Sequence, residues 1–95
     1  MATAPLERVL VVDDDEAGRD LLMEELRDFN FEPLKVEGAY GQDLDKMVTD
    51  IRGQAPSFVI CDHKLQSQGL ASFYGSDVVQ QLKELRIPAM LLTMY

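Results

Sequence analysis

Apolar residues follow two rhythms along this chain, continuous runs and helical stripes. Val9-Leu10-Val11-Val12 is unbroken by any polar residue, as are the later runs within Ser57–Cys61 and Ala89–Thr93. Short continuous runs of this kind read as strands buried on both faces of a sheet. Phe31 to Val36 is a weaker strand, and Pro33, which cannot donate to a ladder, places it at an edge. Between the runs the period changes. Ala17, Leu21, Leu22, Leu26 and Phe29 mark one face of a helix that Asp15 can cap and Asn30 can end in a left-handed conformation. Leu44, Met47, Val48 and Ile51 follow the i, i+3, i+4, i+7 pattern until Gly53, and Val78, Val79, Leu82 and Leu85 form a third stripe between a capping Ser76 and Pro88. The alternation predicts βαβαβαβ: a doubly wound α/β fold with a parallel sheet, right-handed crossovers and helices on both faces. His63 to Gly75 interrupts it as a long polar loop carrying Leu65, Leu70, Phe73 and Tyr74. Loops of this length are often functional.

With 95 residues, 46% of them hydrophobic, the chain builds one domain, residues 1–95, around one core. A formal charge of −8 argues against direct binding of nucleic acid or an anionic membrane, both of which call for clustered Lys and Arg. Cys61 is the single cysteine and His63 the single histidine, so an internal disulfide is excluded and a zinc site of ordinary ligands disfavoured. Residues 1–5 lack the basic and apolar regions of a signal peptide, and no apolar run approaches membrane-spanning length. The expectation is a soluble protein of the reducing cytoplasm.

The chemistry gathers where the strands end. Asp13, Asp14 and Asp15 follow the first run, Asp62 follows the third strand and Thr93 closes the last. In a doubly wound sheet, ligands sit beyond the carboxyl ends of the strands, near the point where strand order reverses. Two carboxylates about 4 Å apart repel by about 4 kcal/mol at an effective dielectric near 20, so such a cluster needs a cation, a proton or open water. A hard divalent ion is the economical answer. Carboxylates and a hydroxyl around a metal and a phosphoryl group propose phosphoryl chemistry, in which a carboxylate attacks phosphorus and an acyl phosphate forms.

Val11-Val12-Asp13-Asp14, Val59-Ile60-Cys61-Asp62 and Leu91-Leu92-Thr93 stand in the order and spacing of a known family. Over Arg8 to Thr93 the chain resembles a receiver domain of two-component response regulators, which have a flavodoxin-like fold. By position, the resemblance implies Asp62 as phosphoacceptor, Thr93 as the switch hydroxyl, and a Mg2+ ion held by Asp13, Asp14, Asp62 and the backbone carbonyl of Lys64. It implies a phosphoprotein that acts as a signalling switch rather than a turnover enzyme, with a histidine kinase or phosphotransfer protein as partner. Several positions depart from the pattern. Leu65 is followed by Gln66 where the family usually has proline, Gly75 arrives late, and Met94 and Tyr95 follow Thr93 where a small residue is typical. The sequence ends before the family's fourth helix, fifth strand and fifth helix, and so before its conserved lysine. The expectation is a truncated receiver whose fourth-strand edge is completed by a missing C-terminal segment or in a homo-oligomer.

Two other readings stay open. A pseudo-receiver that no longer switches would serve protein association or dimerisation. A phosphatase of the haloacid dehalogenase type would use Asp13 as nucleophile, Asp15 as general acid and Thr93 as phosphate ligand, but leaves Asp62 unexplained. Cys61 reads as a small buried hydrophobe rather than a redox thiol, and His63 as a surface or pocket-rim residue.

Overall fold

A computed structural model describes residues 6–92 of the chain. Its elements run β1 (Arg8–Val12), α1 (Glu16–Asp28), β2 (Glu32–Lys35), α2 (Leu44–Gly53), β3 (Phe58–Asp62), α3 (Gly75–Glu84) and β4 (Ala89–Leu92). All pairings are parallel, and the strand order is β2-β1-β3-β4. The expected βαβαβαβ order is therefore the observed one. β1 lies between β2 and β3, which explains its continuous apolar run: Val9 to Val12 are all buried.

Strand side chains alternate between faces, and the two faces of this sheet meet different helices. Leu10 and Val12 of β1 and Val59 and Cys61 of β3 pack with Met47, Val48 and Ile51 of α2 and Val78, Val79 and Leu82 of α3 in one core. Val9 and Val11 have the opposite parity, and α1 lies along β1 and β2. Pro33 sits in β2, at an edge of the described sheet, where its missing N–H costs no ladder bond to a further strand.

Three local expectations are corrected. On α1, Leu21 and Phe29 are exposed, Phe29 at 76%, while Met23 and Arg19 are the buried residues. The helix turns its face by one position because Leu21, Leu22, Met23 and Leu26 offer two overlapping stripes. The caps also differ. Asp15 is the N-cap residue of α1 but its side chain bonds no amide, whereas Asp43 caps α2 by accepting from Lys46 N–H at 3.0 Å. α3 begins at Gly75, one residue before the expected cap at Ser76, and Asp77 accepts from Tyr74 N–H at 3.1 Å. Finally, β4 is not buried on both faces among the described residues. Met90 and Leu92 are 43% and 36% exposed, alternating with half-buried Ala89 and Leu91.

Gly75 is fixed by crowding. A Cβ there would overlap the Asp62 carbonyl oxygen and meet Cys61 Sγ at 3.1 Å. Gly53, the last residue of α2, faces open space. Gly75→Ala is expected to cost about 3 kcal/mol, because backbone rather than a flexible side chain must give way. Gly53→Ala should gain about 0.5 kcal/mol from helix propensity. Urea denaturation followed by circular dichroism separates the two, and equal effects would contradict the packing described.

Candidate functional site

Val12 of β1 is in register with Cys61 of β3. One step further along, Asp13 leaves β1 and Asp62 ends β3, on adjacent strands about 4.8 Å apart. The chain reaches β2 on one side of β1 and β3 on the other, so these two acids flank the crevice where strand order reverses. Both are half-buried. Burial is the largest cause raising the Asp13 carboxyl above its ordinary value of 3.8, and the charges of Asp62, Asp15 and Asp14 push the same way. The Asp15 N–H, which donates to Asp13 Oδ1 at 2.9 Å, opposes them.

Asp14 is held differently. It is 8% exposed, and its two carboxylate oxygens accept from the backbone N–H groups of Gln68 and Leu70, the latter at 2.9 Å. Both donors belong to the 63–74 segment between β3 and α3, which folds over the end of β1. That segment was legible as a loop, but its engagement of Asp14 was not, because the partners are main-chain amides that leave no mark on side-chain identity. Leu65, Leu70 and Ala71, apolar residues in a polar stretch, are its buried anchors. Phe73 packs against the core, while Tyr74 is exposed and stacks on His63 with centroids 5.1 Å apart.

A cavity of about 440 Å³ opens beside this arrangement, lined by Asp13, Asp14, Glu16, Arg19, Glu37 and the tip of the segment, Gln68 to Leu70, among others. Arg19 is the residue that sequence reasoning missed. Its side chain is 8% exposed in acidic surroundings and reaches Asp20 Oδ1 at 3.3 Å. Cys61, beneath the site, is buried, and burial pushes its thiol up to about 12, in keeping with a packing role.

The fit to a magnesium ion is incomplete. Asp13 and Asp62 approach one another, but both oxygens of Asp14 are taken by amides, and among the described residues no group of three potential ligands is arranged to hold a metal ion. Lys64 is exposed. Thr93 lies outside the described residues.

No family model and no curated protein matches the chain. Solved structures do. A response regulator protein of Thermotoga maritima in complex with Mg2+-BeF superposes with a TM-score of 0.73 at 25% identity, over 95% of this chain and 71% of that one. A response regulator receiver protein from Pseudomonas putida gives 0.72 at 19% identity over 96% and 70%. A CheY-like receiver domain from Methylobacillus flagellatus gives 0.68 at 19% over 93% and 68%. The chain has the response-regulator receiver fold. The four parallel strands and three helices described above are what superposes on it. No described helix is long and apolar enough to cross a membrane.

Two predictions follow from the electrostatics. Removing the Asp14 carboxylate strands two amides, so Asp14→Ala should cost about 2–3 kcal/mol in urea denaturation. Asp15→Ala, at an exposed position without a side-chain cap bond, should stay within about 0.5 kcal/mol. For Asp13 the sign is set by its raised folded-state value: folding takes up a proton just above pH 3.8, so the group contributes most favourably below that pH and the contribution is lost as pH rises through the folded value. Asp13→Asn keeps an acceptor for Asp15 N–H. It should raise Tm at pH 7 and low salt, and the gain should vanish below pH 3.8. A pH series of thermal melts checks both ends.

Proposed function

We propose that the chain is a signal receiver of the two-component kind and that Asp62 accepts the phosphoryl group. The observation that carries this is the placement of Asp62 beside Asp13 at the carboxyl ends of β3 and β1, in the crevice where strand order reverses. A carboxylate oxygen of Asp62 attacks phosphorus, the bond from phosphorus to the donor's nitrogen or oxygen breaks, and an acyl phosphate results. The natural donor would be the phosphohistidine of a histidine kinase or phosphotransfer protein, and the protein would store the group as a signal rather than turn substrate over. The Mg2+-BeF complex of the Thermotoga structure supports Mg2+ as the candidate cofactor. Asp13 and Asp62 are the side chains open to it, with Asp14 withheld.

Incubation with acetyl phosphate and Mg2+, followed by intact-mass measurement, should add the mass of one phosphoryl group. The adduct should be lost on mild alkaline treatment and absent in Asp62→Asn. A wild-type chain that stays unlabelled, under conditions that label an intact receiver, would refute the reading.

The bonds from Gln68 and Leu70 to Asp14 also favour a second reading, a receiver-like association module that does not switch. The exposed Met90 and Leu92 of β4 give such a module an apolar edge. A stable oligomer by sedimentation, together with no phosphoryl adduct, selects it.

A further inference from the structure

The 63–74 segment is secured at its neck, inside, and at its tip. At the neck, Gly75 N–H donates to the His63 carbonyl at 2.8 Å and the His63 and Tyr74 rings stack. Inside, Ala71 N–H donates to the Leu65 carbonyl at 2.9 Å, and Gln66 Nε2 donates to the Phe73 carbonyl at 3.2 Å. Near the tip, besides the two bonds to Asp14, the Leu70 carbonyl accepts from Tyr40 N–H at 2.8 Å and Ser72 N–H donates to the Gly41 carbonyl at 2.7 Å. Leu70 thus joins Asp14 to the β2–α2 connection through its own peptide groups. The segment crosses from β3 over the end of β1.

We propose that this segment is an internal strap that takes the place of a cation at Asp14 and must lift before a divalent ion can use that carboxylate. The inference rests on reading Asp13, Asp14 and Asp62 as a receiver's acidic pocket, and it concerns the one point where the geometry disagrees with that family pattern. Two amide donors satisfy a buried carboxylate about as a counter-ion would. Each oxygen keeps a second lone pair, but with Asp14 only 8% exposed and the strap's main chain seated on both oxygens, an ion gains room there only where the strap gives way. Strapped and metal-bound states therefore compete, and the ion's apparent affinity is scaled down by the fraction of molecules with the strap open. Gly38 offers a way to press on the strap without touching an acid, since a Cβ there would sit 2.7 Å from the Leu70 carbonyl oxygen.

Amide hydrogen exchange by NMR on the full chain, titrated with MgCl2, tests this. Without Mg2+, the Gln68 and Leu70 amides should exchange slowly, and both should lose protection together as Mg2+ saturates. Gly38→Ala should speed their exchange and lower the apparent Mg2+ dissociation constant about ten-fold, the equivalent of one charge-assisted hydrogen bond. If that variant does not fold, the wild-type titration still decides. Fast exchange of the two amides in metal-free protein, or saturable Mg2+ binding that leaves both protected, overturns the proposal. In metal-free protein, protection of the two amides in Asp62→Asn should match the wild type, because they bond Asp14 and not Asp62, so a failure of the strap is read separately from a failure of phosphorylation at Asp62.

Discussion

The interior position of β1 governs everything at the acidic end of this protein. A strand hydrogen-bonded on both sides and buried from Val9 to Val12 must surface where its apolar residues run out, and here it surfaces as consecutive carboxylates. Charge cannot follow the strand into the core, because an ionised carboxylate without partners is far too costly to bury. The turn from β1 to α1 is therefore the place where the fold has to find something for each acid to do.

It finds three different answers. Asp15 stays in water. Asp13 is half-buried, helped by one amide and opposed by the neighbouring acids, and it keeps its proton to higher pH. Asp14 is nearly buried and is satisfied by two main-chain donors brought from far along the sequence. The last answer explains the segment after β3. A shorter turn could join β3 to α3, but it would not carry two amides back across the sheet. Leu65, Leu70 and Ala71 hold those amides in place by entering the core that α2 and α3 share.

How much of this could be read from residues alone depends on which atoms carry it. β1, β3 and the stripes of α2 and α3 were legible because burial writes itself in side-chain type, and the approach of Asp13 and Asp62 followed from two strands ending in acid. α1 was harder. Leu21, Leu22 and Met23 are consecutive, so periodicity admitted more than one face, and the choice was made by packing on β1 and β2, which buried Arg19 and exposed Phe29. The fate of Asp14 was illegible in principle, since any residue at 68 or 70 other than proline supplies the same N–H. The caps failed for a related reason: a Ser or Asp at a boundary states that it can cap, while backbone geometry decides which neighbour does.

The receiver fold sharpens what these differences mean. Under the proposed function the pocket would have to stabilise added negative charge, and the acids at the strand ends work against that until something positive arrives. Arg19 lines the cavity beside Asp13 and Asp14 but is already shared with Asp20. The strap amides are directed at Asp14, so they lower the charge felt from β1 without offering themselves to a group on Asp62. Relief at Asp62 must then come from an ion beside Asp13 or from amides that change partners. Only the second route alters the contact of the Gln68 and Leu70 amides with Asp14, and under the proposed function it is the route by which the conformation of one loop would bear on phosphoryl chemistry.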